Sequence, residues 1–260
     1  MTDDGSLHVS RWGHGRSVLL IHGGPQGGPA GGEALWSAQR PLAADGWELV
    51  VPDRPGHGRS PSRGPEVIEE EALWVAQLLG DGMHLVGHSY GACISLAAAG
   101  LAPGAVRSLT LIEPPAYSAA PENPDVSAAR AQMRDALREE MPPRDRYLAF
   151  ARLAGIPDEL TARYDEATRA RMGHGLSIMR PPWEWDAGPA IDSVARARPP
   201  FLAVTGGWSP SMEAIADALA TRLEGEHAVI PTGHHLPQLH PAFNELLGRF
   251  LASAEAQRSR

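Results

Sequence analysis

Cysteine is almost absent from this chain. One residue in 260, Cys93, carries a thiol, so an internal disulfide framework is excluded. Cys93 lies in an apolar helical run and reads as a small buried core residue. Positive charge is also short, with 23 Lys and Arg against 31 Asp and Glu. Such a balance disfavours a nucleic-acid partner, because no basic surface replaces the counterions of a phosphate backbone. No stretch approaches the roughly 18–20 consecutive apolar residues of a membrane helix. The first residues, MTDDGSLHV, have neither the basic region nor the apolar region of a secretory leader. These absences predict a cytoplasmic protein that does not engage a membrane.

What is present suits a folded enzyme-sized domain. The length allows one large α/β domain or a domain with an insertion, and 43% apolar residues suffice for a full core. Short apolar runs alternate with longer helical segments. Strands are predicted at 17–22 (SVLLIH), 48–52 (ELVVP), 83–87 (MHLVG), 106–112 (VRSLTLI), 201–205 (FLAVT) and 227–231 (HAVIP). Helices are predicted at 66–79, 92–101, 212–223 and 243–254. Near-continuous apolar strands separated by helices indicate a mostly parallel sheet covered on both faces. In such sheets ligands sit beyond the carboxyl ends of the strands.

Residues 117–200 break this rhythm. Helical stretches at 126–140, 146–153 and 159–171 are followed by the irregular MRPPWEWDAGP. The expected organisation is a core of 1–116 and 201–260 with a helical lid, 117–200, over the strand ends. Phe150, Met172, Met179, Trp183 and Trp185 either line an apolar pocket beneath the lid or pack lid against body. Phe150, Met179 and Trp183 are taken as candidate substrate contacts.

Gly87-His88-Ser89-Tyr90-Gly91 follows a predicted strand directly and precedes a helix directly, the context that G-x-S-x-G requires. So tight a turn strains the backbone at the serine and needs small flanking residues, which Gly87 and Gly91 supply. It presents the Ser89 hydroxyl at a helix N-terminus, where developing negative charge is favoured. With His22-Gly23-Gly24-Pro25, Asp53-Arg54-Pro55-Gly56-His57-Gly58-Arg59-Ser60 and Gly233-His234 before the last helix, the chain resembles the α/β-hydrolase superfamily over nearly its whole length. The resemblance implies Ser89 as nucleophile, His234 as base, and the backbone amides of Gly24 and Tyr90 as oxyanion donors. It also implies that His22, Asp53 and Ser60 shape loops. His235 competes with His234 on chemistry, since either imidazole titrates near neutrality; the position after Gly233 favours His234. His234, His235 and His240 fit no metal signature, and no metal or other cofactor is expected.

One element of the family pattern is missing. Its acid is usually an Asp shortly after the strand read here at 201–205, and this sequence has Ser209 there, in Gly206-Gly207-Trp208-Ser209-Pro210. Glu113 offers a replacement. It ends the strand at 106–112 on the same sheet edge, has one methylene more than Asp, and keeps the chain order Ser, acid, His. Some relatives place the acid at this strand end, which by resemblance makes Glu113 the partner of the base; Asp192 and Glu213 have no motif behind them. The resulting expectation is a serine hydrolase of a small-molecule carboxylic ester or lactone. A serine at 89 argues against the dehalogenase and epoxide-hydrolase relatives, whose nucleophile is Asp. The rival reading is a ligand-binding protein on the same scaffold with slow or no turnover, which the serine at 209 keeps open.

Overall fold

The computed structural model describes residues 7–138 and 140–258. The residues that bear most directly on a leader, 1–6, lie outside it, as does residue 139 of the predicted helix 126–140. Seven strands form one sheet: β1 (Val9–Trp12), β2 (Arg16–Ile21), β3 (Trp47–Pro52), β4 (Met83–His88), β5 (Val106–Ile112), β6 (Phe201–Thr205) and β7 (Glu226–Val229). Their spatial order is β1-β3-β2-β4-β5-β6-β7, and only β1 runs antiparallel to its neighbour. The six predicted strands match β2–β7 within two residues at each end. The seventh, β1, is a short edge strand whose sequence, VSRW, carries no apolar run to announce it.

Alternation along the strands divides the core in two. Leu19, Ile21, Leu85, Leu109, Leu111 and Ala203 point to one face; Val18, Leu20, Val86, Ile112, Leu202 and Val204 point to the other. Among the described residues, ten α-helices accompany the sheet: α1 (Gly32–Leu35), α2 (Ile68–Leu78), α3 (Tyr90–Leu101), α4 (Pro124–Arg138), α5 (Pro143–Leu153), α6 (Asp158–Thr161), α7 (Glu166–Ile178), α8 (Gly188–Ala197), α9 (Pro210–Arg222) and α10 (Pro241–Arg258). α3 is buried from Tyr90 to Ala99, which explains its run of small residues beneath α2 and α8. α10 covers the opposite face through Phe243, Leu247 and Leu251.

The insertion differs from expectation in two places. The helix expected at 159–171 is two helices, because Asp165 caps a new one by accepting from Thr168 N at 2.7 Å. The end of the 117–200 span is part of the body. Ile191 and Val194 of α8 are buried in the sheet-side core, and α8 lies so close to α3 that a Cβ on Gly100 would stand 2.8 Å from Ala190 Cα. α4 and α5 supply Met133, Leu137, Phe150 and Leu153 to the cavity over Ser89. Together, α5 and α7 enclose a small core of Tyr147, Ala151, Met172 and Leu176. Among the described residues, no helix is long and apolar enough to cross a membrane.

Candidate active site

The chain reverses its order across the sheet between β2 and β4, the place where open α/β sheets form a crevice. The loop after β2 and the turn after β4 diverge there. Ser89 holds φ 55° and ψ −125° as the residue before α3, a conformation costing about 1–3 kcal/mol for a residue with a side chain. The neighbouring strand fixes it, since Ser89 N donates to Ile112 O at 2.9 Å. Packing leaves room only for glycine behind the turn: a Cβ on Gly91 would meet His22 O at 2.3 Å. Gly23 approaches from β2 just as closely, and a Cβ there would stand 2.7 Å from Ser89 Cβ.

Glu113 repeats this arrangement one strand further on. It follows β5 with φ 49°, is fully buried, and its amide donates to Val204 O of β6 at 2.9 Å. Its carboxylate receives Gly206 N on Oε1 at 2.6 Å and Trp208 Nε1 on Oε2 at 2.8 Å. Oε2 also lies 3.1 Å from His235 Nδ1, and His235 Nε2 lies 2.8 Å from Ser89 Oγ. A carboxylate only accepts, so Nδ1 carries the proton and Nε2 is free to accept from the serine. Ser89, His235 and Glu113 thus form one continuous hydrogen-bonded chain.

His234 is not in that chain, contrary to the expectation from Gly233-His234. Gly233 has φ +69°, and the imidazole after it pairs with the local backbone instead. His234 Nδ1 accepts from Leu236 N at 3.1 Å. His235 is the histidine directed inward. It is buried, and its amide donates to Gly155 O, in the loop after α5, at 2.9 Å. His240 Nδ1 accepts from Ala242 N at the start of α10, so the three histidines do not converge. Among the described residues no group of three or more His, Cys, Asp or Glu is placed to hold a metal ion.

The other acid candidates lie elsewhere. Asp192 pairs with Arg222 on the surface. Glu213 binds Thr205 Oγ1 and Gly207 N, shaping the loop after β6 from outside. Ser209 precedes α9 and shares a hydrogen bond with Ser211.

Gly24 and Tyr90 both line the cavity beside Ser89 and His235. Tyr90 is the first residue of α3, so its amide has no acceptor within the helix. The loop that carries Gly24 is braced by a buried guanidinium. Arg54 is fully buried; it donates to Gly24 O at 3.1 Å, to both oxygens of Glu71 at 2.8 Å, and to Glu66 Oε1 at 2.5 Å. Burial raises the Glu66 carboxyl to about 7, against the pull of Arg54. His22 donates from Nδ1 to Gly23 O and accepts Arg54 N on Nε2. Burial, then the charges of His57 and Arg54, hold it neutral. Asp53 accepts Gly32 N and Arg59 N, and Ser60 Oγ donates to Asp53 O. The Arg54–Glu66–Glu71 cluster is not announced by the sequence; the buried partners lie 12 and 17 residues away with no motif joining them.

His88, the variable residue of the Ser89 turn, donates from Nε2 to His235 O at 2.9 Å. Burial, followed by the charge of His235, lowers it to about 3.

A cavity of about 180 Å³ opens over Ser89, with Phe150, Met179 and Trp183 in its walls together with Met133, Trp208 and Met212. Two of the five apolar insertion residues do not reach it. Met172 faces α5 inside the small core of the insertion, and Trp185 packs into the sheet-side core of the body.

The model of the alpha/beta hydrolase fold family matches residues 16–155, more than half of the chain, and the protein belongs to that family. A pimeloyl-[acyl-carrier protein] methyl ester esterase of Methylococcus capsulatus is 39% identical over 124 residues, covering 47% of this chain and 46% of that protein. The chain thus spans less than half the length of this relative. Among solved structures, the N-acyl homoserine lactonase AidH superposes with a TM-score of 0.66 at 23% identity, covering 96% of this chain and 94% of that one. A thermophilic esterase from Thermogutta terrifontis gives 0.59 at 23% identity, with 95% and 93% covered. At such identities these two superpositions speak for the fold.

Proposed function

We propose that this protein is a serine hydrolase that cleaves a carboxylic ester or lactone through an acyl-enzyme. The observation that carries the reading is the chain from Ser89 Oγ to His235 Nε2 at 2.8 Å and from His235 Nδ1 to Glu113 Oε2 at 3.1 Å. Ser89 Oγ attacks the carbonyl carbon as His235 takes its proton. Glu113 holds the tautomer and stabilises the imidazolium. The amides of Gly24 and Tyr90 receive the oxyanion, each worth on the order of 3 kcal/mol in such a role. His235 then protonates the departing alkoxide, which leaves as an alcohol or, from a lactone, stays attached to the acyl group. Water, deprotonated by His235, attacks the acyl-enzyme and restores Ser89.

The name of the Methylococcus relative, a methyl ester esterase, supports an ester bond; a lactone is opened by the same steps. The binding-protein reading draws its support from Ser209, and the contact between Glu113 and His235 weighs against it. Labelling with a fluorophosphonate, read by intact mass, tests the proposal beside a panel of p-nitrophenyl esters and lactones. Wild type should gain one phosphonyl group and turn over at least one panel member, and Ser89→Ala should do neither. A wild-type protein that neither labels nor cleaves any of them would leave a ligand-binding protein on a hydrolase scaffold as the better description.

A further inference from the structure

Trp208 stands in the loop after β6 where the family pattern leads one to look for the acid, one residue before Ser209. Its indole does more than wall the cavity. Nε1 donates to Glu113 Oε2 at 2.8 Å, on the same oxygen that accepts from His235. The indole also stands edge-on to the His235 imidazole, at 5.9 Å between centroids and 89° between planes. Its own position is fixed by the loop after α5, where a Cβ on Gly155 would stand 2.7 Å from the indole carbons.

A glutamate in this role has a problem that an aspartate has less of. It carries one more torsion, and its terminal carboxylate torsion is broad, so the oxygen facing His235 needs an outside restraint. Gly206 N pins Oε1 and the indole N–H pins Oε2. We propose that Trp208 is a positioning residue, whose N–H sets the orientation of the Glu113 carboxylate toward His235. The inference rests on the serine-hydrolase reading above. A cavity wall needs only an aromatic surface at 208, whereas this role needs the N–H.

Trp208→Phe separates the two. Kinetics on the best ester of the panel are measured per active site, counted by fluorophosphonate titration, in wild-type and Glu113→Gln backgrounds. The expected loss in kcat is roughly tenfold or more in the wild-type background, the scale of one hydrogen bond to a charged group, with KM nearly unchanged. In the Glu113→Gln background the substitution should add little, because the group it acts through is gone. The downfield proton resonance of His235 Nδ1–H should shift upfield in Trp208→Phe well beyond the small ring-current change that exchanging one ring for another causes, and a change of ring-current size alone would speak for a cavity wall. Should the Phe variant not fold, incorporation of 3-benzothienylalanine at 208 keeps the bicyclic ring but lacks the donor, and is read in the same way. Wild-type kcat in the variant, or a loss fully additive with that of Glu113→Gln, overturns the role of Trp208 alone. Failure of the wild type to label overturns the hydrolase reading itself.

Discussion

Glu113 and His235, 122 residues apart in sequence, meet at 3.1 Å because the end of β5 faces the turn before the last helix across β6. β5 lies between β4, which leads into Ser89, and β6, and the Glu113 side chain reaches from its end to His235. The added methylene of glutamate and the left-handed backbone at Glu113 supply that reach and direction.

This contact separates the two adjacent histidines. His235→Ala is expected to lower kcat/KM by several orders of magnitude, and Glu113→Gln by about 10²–10⁴, by analogy with the loss of the acid in the serine-protease triad. His234→Ala should stay within a few-fold of wild type. Equal losses in His234→Ala and His235→Ala, measured on one ester, would refute the assignment of the base.

Stability should fall on acidification, with His88 as one cause. Its native value of about 3 lies below the ordinary 6.5, so between those values the unfolded chain binds more protons. The contribution of His88 is therefore present above about 6.5 and is lost as pH falls toward 3. Between pH 7 and 5 it amounts to about 2 kcal/mol. His57, at about 3, acts in the same sense, while Glu66, raised to about 7, acts oppositely. Urea denaturation at the two pH values should show His88→Gln losing about 2 kcal/mol less than wild type; identical losses would contradict the buried neutral state.

Arg54 is expected to matter far beyond a surface arginine. Arg54→Met leaves Glu66 and Glu71 buried without their cation, a change that costs about 3–5 kcal/mol. It also frees the carbonyl of Gly24. Thermal unfolding should report the first effect and kcat the second. A variant within about 1 kcal/mol of wild type, the scale of an exposed pair, would show that water or a shifted side chain replaces the guanidinium.

Much of the fold was legible because parallel strands buried on both faces write themselves as unbroken apolar runs, as at Val18–Ile21 and Phe201–Val204. The edge strand β1, half exposed and carrying Arg11, writes nothing comparable. α8 lies inside the 117–200 span, where no helix was predicted after the irregular MRPPWEWDAGP, although Ile191 and Val194 turn toward the body. Ser89 was legible from the glycines around it, and Glu113 became a candidate once Ser209 occupied the usual place of the acid. The choice between His234 and His235 was not legible, since it depends on how the loop after β7 directs two adjacent imidazoles. Trp208 gave no signal beyond its place beside that vacant acid position, since a tryptophan donor pairs with whatever the fold brings to it.

The carbonyl of Gly155 that receives the His235 amide has a consequence for protein engineering. In a modular enzyme the substrate-selecting insertion could be exchanged for that of a relative while the reacting groups stayed as they were. Here the insertion supplies the acceptor for the base's own backbone and, through the absent side chain at 155, the space in which Trp208 lies. A graft of this segment from a relative would have to reproduce both contacts, so on the proposed reading a change of selectivity is tied to the geometry of the proposed base.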